Sequence, residues 1–379
     1  MSEKRSIFQE VDATAPDDTP PPQGGLIDAG RKGARRGIRI WLTILLLMVA
    51  LMIAVGGWTR LTDSGLSITE WKPVTGALPP MNDADWQTEF SKYQKSPEYQ
   101  IQNKGMTIEQ FKSIFWWEWG HRNLGRAIGL VWAVGFFGFL LARKIPPGWT
   151  GRLFGLGVLG GLQGAIGWWM VSSGLTGRMV DVASYRLAIH LGMGFIIMGV
   201  ILWFLLMLGR APGDLIQARR QRETGLARLA ATLMALVFLQ VLLGALVAGI
   251  DAGRGYIDWP WMNGQFLPSE SFDYSPLWTN FFENPALVQF DHRMVGYFVF
   301  LFAAFSWWKS RASALRATRH AFDWVMAIVL LQVSLGIATV MTAAQPHVAI
   351  THQIGAIIVM AMVLRARFAT LYPTAQSLR

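Results

Sequence analysis

Apolar positions gather in eight blocks along this chain, separated by polar connections. The blocks cover residues 40–58, 123–141, 153–171, 187–208, 226–250, 288–308, 322–341 and 348–364. Each is close to the ~20 residues a helix needs to cross the hydrocarbon core of a bilayer. Residues 2–30 are rich in Pro, Asp, Thr and Gly and lack an apolar core, so they read as a disordered tail. The tail is too acidic for a transit peptide and has no signal-peptide core. Of the connections, 59–120 is long, with a helical pattern around 83–99, and 251–287 is long and aromatic.

Every second connection is basic. Arg31, Lys32, Arg35, Arg36 and Arg39 precede the first block, and Arg143, Lys144 and Arg152 separate the second from the third. Arg210, Arg219, Arg220, Arg222 and Arg228 separate the fourth from the fifth. Lys309, Arg311, Arg316 and Arg319 follow the sixth, and Arg365 and Arg367 follow the eighth. With Lys4, Arg5 and Arg379, this face holds 22 of the 34 basic residues and 9 of the 24 acidic ones. Basic connections stay in the cytoplasm, so both termini are expected there.

Composition agrees. The chain of 379 residues is 52% hydrophobic and only 15% charged, against about 25% charged in soluble domains. Its net charge of +10 is explained by the cytoplasmic face of a membrane protein and implies no nucleic acid. The absence of cysteine excludes disulfides, thiolate haem ligands and iron–sulfur clusters.

Motifs recur in the same order. Gly120-His-Arg-Asn-Leu-Gly125 matches Asp291-His-Arg-Met-Val-Gly296, and Gln163-Gly-Ala-Ile-Gly167 matches Gln332-Val-Ser-Leu-Gly336. Ile189-His-Leu-Gly192 resembles Thr351-His-Gln-Ile-Gly355. The expected fold is an all-α membrane protein of eight transmembrane helices, built as two tandem four-helix bundles in a parallel repeat. The expected division is a tail 1–36, a first half 37–210, a basic linker 211–222, a second half 223–367 and a tail 368–379.

Four of the six histidines hold equivalent places: His121 and His190 in the first half, His292 and His352 in the second. The topology puts all four at one depth in the outer leaflet. One buried histidine is ordinarily a hydrogen-bonded core residue; four in repeat register point to ligands. Neutral imidazole is a strong axial ligand for haem iron, and helix bundles commonly build cofactor sites between facing helices. Arg122 and Arg293 follow two of the histidines and Arg126 lies one turn beyond Arg122; arginine meets a haem propionate with charge-assisted bonds. His320 and His347, in connections, read as non-ligands. The halves differ at one place: Glu118 stands three residues before His121, where Gln289 stands before His292. A carboxylate beside a haem points to chemistry and a neutral amide to electron transfer. The plainer role for Glu118 is a salt bridge to Arg122 at i+4.

These motifs, with Thr59-Arg-Leu-Thr-Asp-Ser-Gly-Leu-Ser67 and Glu70-Trp-Lys-Pro-Val-Thr-Gly76, make residues 37–367 resemble the haem A synthase family, in its proteobacterial and mitochondrial branch. The resemblance implies a bacterial inner-membrane oxidoreductase of cytochrome oxidase assembly. It oxidises the ring methyl of haem O to a formyl group through a hydroxylated intermediate. It further implies that His121 and His190 hold haem O, that His292 and His352 hold a resident haem b, and that Glu118 is catalytic. Expected partners are haem O delivered from haem O synthase, membrane lipid, cytochrome oxidase assembly factors and an electron acceptor or donor of unassigned identity. A homo-oligomer stays open. Two alternatives also stay open: a di-haem b electron carrier exchanging electrons with quinone, and a transporter without haem.

Overall fold

The computed structural model describes residues 32–177 and 179–374. Those residues form twelve α-helices. Eight are long: α1 (Lys32–Leu61), α4 (Ile108–Leu141), α5 (Thr150–Gly174), α6 (Ser184–Leu208), α8 (Thr224–Gly249), α10 (Pro285–Ser310), α11 (Arg316–Met341) and α12 (Pro346–Leu371). Four are short: α2 (Asp83–Tyr93), α3 (Pro97–Ile101), α7 (Pro212–Arg220) and α9 (Asn280–Glu283).

Several starts are written locally. Thr107 and Gln110 form a capping box at α4, and the Asn82 side chain accepts from the Asp85 amide at α2. Asn284 caps α10, whose first residue is proline. Such caps satisfy amides that have no partner within the helix.

Seven of the long helices are long and apolar enough to cross a membrane. The other is α10, which has the length but carries Gln289, Asp291, His292 and Arg293 in its first third. Large apolar side chains such as Leu47, Leu130, Val134, Leu141, Leu301 and Trp324 are exposed on the outside of the bundle. A lipid-facing surface requires such an exterior.

The helices pack in two cycles. In one, α4 lies against α1 and α5, and α6 closes the ring against both α5 and α1. In the other, α10 lies against α8 and α11, and α12 closes against α11 and α8. The cycles meet through α6 with α8 and α1 with α12. Ile38, Leu42, Met198, Leu233, Phe322 and Val363 are among the side chains buried in the common core. Two polar contacts also cross: Gln353 Nε2 donates to the Ile53 carbonyl at 2.7 Å, and Arg60 reaches the Ala248 carbonyl (2.9 Å) and Asp251 (3.0 Å).

Four boundaries differ from the sequence expectation. Helix α1 begins at Lys32, inside the expected tail; the rest of that tail lies outside the described residues. The expected linker contains helix α7. Helix α12 runs to Leu371 because Phe368 and Tyr372 pack with Leu215 and Ala218 of α7. The second helix differs most: α4 has 34 residues and starts well before the apolar block at 123. At 1.5 Å per residue it is about 51 Å long, against ~30 Å of hydrocarbon. Its first turns carry Phe111 and Phe115, which join Trp86, Phe90 and Tyr93 in a separate aromatic core. Residues 83–115 therefore form a cap on the end of α4.

Candidate functional site

Each of the four repeat histidines rests on a glycine of the long helix before its own. A Cβ at Gly56 would lie 3.0 Å from His121 Nε2, and one at Gly167 would lie 2.8 Å from His190 Cε1. Added at Gly244 or Gly336, it would lie 3.0 Å from Cε1 of His292 or His352. The glycines are there because the rings need the space. The contact is reciprocal one turn away, where a glycine on the histidine's helix faces the residue four before the first glycine. Gly125 faces Met52 (3.2 Å), Gly194 faces Gln163 (3.8 Å), Gly296 faces Gln240 (3.1 Å), and Gly355 faces Gln332.

His292 and His352 are brought together, with ring centroids 6.5 Å apart and planes at 85°. Among the described residues His121 and His190 make no such ring pair. Gln240 Nε2 donates to the His292 carbonyl at 2.9 Å and lies 3.1 Å from its Nδ1. Gln332 Nε2 donates to the His352 carbonyl at 2.9 Å and lies 3.2 Å from its Nδ1. Gln163 Nε2 donates only to the His190 carbonyl, at 3.1 Å. The two remaining histidines are elsewhere: exposed His320 lies beside Arg316 and Asp323, and His347 is at the exposed start of α12.

The arginines bind the outer connections. Arg122 donates to the carbonyls of Glu70 (3.0 Å) and Ile68 (2.7 Å), and Arg126 to those of Lys72 and Pro73, both at 2.9 Å. Arg293 donates to the carbonyls of Tyr256, Asp258 and Trp261. Glu118 is 2% exposed. Its carboxylate accepts from Ser67 Oγ and the Ile68 amide, both at 2.7 Å, and pairs with Arg122 at 2.6 Å. It therefore does not stand free over the histidine: the expected i+4 salt bridge is present, and two loop groups join it. Gln289 holds the equivalent loop of the other half through the Tyr256 carbonyl, at 3.1 Å.

The residues fit a haem. Imidazole–metal bonds of about 2 Å, with each ring centre ~1 Å further back, place two axial rings about 6 Å apart. The His292–His352 pair meets that distance. Buried donors without partners remain at Trp58 Nε1, Trp119 Nε1 and Arg293 Nε, the kind of group a carboxylate satisfies. His190 Nδ1 and the Oε1 atoms of Gln163, Gln240 and Gln332 are also buried without partners.

Sequence reasoning missed the helix-to-helix register. Gln163 and Gln332 show in the repeat, but Gln240 does not, because its repeat partner is Met52. A search for Gln-x-x-x-Gly within the apolar blocks finds all three glutamines.

The architecture defines a class: an all-α, membrane-type protein with histidines in repeat register between its long helices. Within that class, the chain belongs to the family of cytochrome oxidase assembly proteins designated COX15-CtaA, whose model matches residues 39–364. The chain is 61% identical to the haem A synthase of Dinoroseobacter shibae over 380 residues, covering 100% of this chain and 99% of that one. It is 58% identical to the haem A synthase of Ruegeria pomeroyi over the full length of both. Against the haem A synthase of Ruegeria sp. it is 56% identical over 99% of each chain.

Proposed function

We propose that this protein is a haem A synthase, an oxidoreductase of the bacterial inner membrane that converts the ring methyl of haem O to the formyl group of haem A. The observation that carries the reading is the likeness to haem A synthases along the whole chain, at 61% identity in one case. The proposal takes the two helix cycles as halves 37–210 and 223–367, linked through 211–222. It takes all eight long helices as spans, with both termini in the cytoplasm.

In this reading His121 and His190 bind haem O, and His292 and His352 bind a resident haem b. Haem b, when bound, supplies a one-electron relay between the substrate and an electron acceptor. The protein's own residues do the rest. Arg122, Arg126 and Arg293 fasten the outer loops to the helices that carry His121 and His292. The free donors of Trp58, Trp119 and Arg293 receive haem carboxylates. Glu118, buried and held by three donors, takes up protons as the methyl is oxidised. A positioned carboxylate suits that role.

The test is to express the chain with a supply of haem O, purify it and resolve the extracted haems chromatographically. Haem b together with haem A or its alcohol precursor is expected. Haem b alone would make the protein an electron carrier, and no haem would overturn the reading.

A further inference from the structure

We propose that Glu98 is a proton relay: it receives the protons that Glu118 takes up and releases them at the outer face, beside Asp63 and Asp181. The relay rests on the haem A synthase reading above, in which Glu118 accepts protons.

Glu118 is closed in. It is 2% exposed, and its oxygens are held by Ser67, the Ile68 amide and Arg122. A proton it accepts needs a further carrier to reach water. The wetter end of this region is the cluster around Arg60, which pairs with Asp63 at 2.7 Å, Asp251 at 3.0 Å and Asp181 at 3.4 Å. The three aspartate side chains are 46%, 36% and 35% exposed. Residues 59–67 join the two ends. Arg60 and Asp63 belong to the cluster, Ser67 holds Glu118, and Thr59, Ser64 and Ser67 are all buried.

Both ends act on Glu98. Ile68 and Trp119, which flank Glu118, pack against the aromatic core of the cap, of which Tyr93 is part. Glu98 in α3 is 3% exposed, and its Oε2 is buried without a partner. The charges that act on it are Glu118 from α4, Asp181 from the α5–α6 connection and Asp63 from the α1–α2 connection; the Tyr93 hydroxyl of α2 lies beside it. Glu118 has Arg122, and Asp63 and Asp181 share Arg60. Among the described residues Glu98 is the one of these four carboxylates without an ion pair. A buried acid with an unpaired oxygen costs stability, so a purely structural role would be served better by an uncharged side chain. Burial first, and then the three carboxylates, raise its pKa to about 8, with Tyr93 opposing. An acid of that strength both accepts and releases protons near neutral pH, as a carrier must. Each transfer moves one proton between acidic oxygens and changes no bond to carbon.

The experiment measures the rate of haem A formation in native membranes supplied with haem O, on both sides of pH 8. The parent rate should rise with pH through about 8, because only the charged form of Glu98 accepts a proton. Glu98→Gln should lower the rate by about 10²-fold and abolish the rise. Glu98→Asp keeps an acid, so it should retain more of the rate and the rise with it. A structural role predicts the reverse order, since glutamine matches glutamate in shape and aspartate does not. Asp181→Asn removes a charge that raises the Glu98 pKa, so the rise should move to lower pH. Arg60 keeps Asp63 and Asp251 in that variant, which preserves the cluster. A parental rate in Glu98→Gln at every pH, or a rate above that of Glu98→Asp, would overturn the relay. If the Glu98 variants do not accumulate, Asp181→Asn decides, and an unmoved rise overturns it. A parent protein that forms no haem A would instead sink the reading on which the relay rests.

Discussion

Glu118 and Gln289 occupy equivalent turns of α4 and α10, and each fastens an outer loop. Loop fastening therefore does not require a charge at this position. Glu118→Gln keeps one acceptor oxygen for Ser67 and the Ile68 amide, and Arg122 keeps its two loop carbonyls. We expect this variant to fold and to retain bound haem. An amide cannot accept a proton, so conversion to haem A should fall by roughly 10²–10⁴-fold, read by resolving the extracted haems. Near-normal haem A would leave Glu118 with the loop-fastening role alone. The histidines divide differently. His292→Ala or His352→Ala should remove the low-spin haem b spectrum, while His121→Ala should keep it and lose product; an undiminished spectrum in both second-half variants would refute the division. These residues were legible because polar groups inside apolar blocks carry information. The supporting glutamines were not, since a lone glutamine in a span reads as ordinary until the facing helix is known.

At the scale of elements, the cap on α4 behaves as a small folded unit with its own titrating group. Glu98 in α3 is 3% exposed. Its pKa is raised to about 8, first by burial, with the Glu118 charge adding and the neighbouring Tyr93 opposing. The folded cap therefore keeps a proton that an unfolded chain releases near 4.5. Between those two values the folded state binds more protons, so stability falls as pH rises. The contribution is fully present below about 4.5 and is lost by about 8. We expect the cap to open more readily at pH 8.5 than at pH 5, by hydrogen exchange of residues 83–101. Glu98→Gln should flatten that dependence; an equally steep profile in the variant would remove Glu98 as its source. The two cap helices were legible as a pattern over 83–99. Their junction with α4 was not, because residues 108–122 mix polar and aromatic positions and hydropathy begins only at 123. Trp86, Phe111 and Phe115 form a core there.

The whole molecule turns on how eight long helices are oriented in the bilayer. Eight blocks and a duplication were legible because the apolar run length and the repeated motifs are both written in one dimension. How the cycles meet was not, because α1 against α12 and α6 against α8 depend on side-chain fit between segments far apart in sequence. The proposed orientation rests on charge. The connections that carry Arg143 and Lys144, Arg219 and Arg220, and Arg311 and Arg316 are basic, and such connections remain in the cytoplasm. The other face holds the α4 cap and the loops bound by Arg122 and Arg293. The one segment that strains this scheme is α10, which carries Gln289, Asp291, His292 and Arg293 in its first third. Three of those polar groups are satisfied inside the protein: Gln289 and Arg293 are buried on loop carbonyls and His292 rests on Gly244. A lipid-exposed charge at mid-bilayer would cost about 2.5–3.5 kcal/mol or more, whereas groups satisfied inside the protein escape most of that cost, so α10 can span. Reporter fusions at Gly148, Gly213 and Ala312 should then read cytoplasmic, and a fusion near Gly264 external. Ala312 is the sensitive position, since a non-spanning α10 would put every later connection on the opposite face. An external signal at Ala312 with a cytoplasmic one at Gly213 would mean seven spans. An external signal at Gly213 would overturn the orientation and the common depth of the four histidines with it.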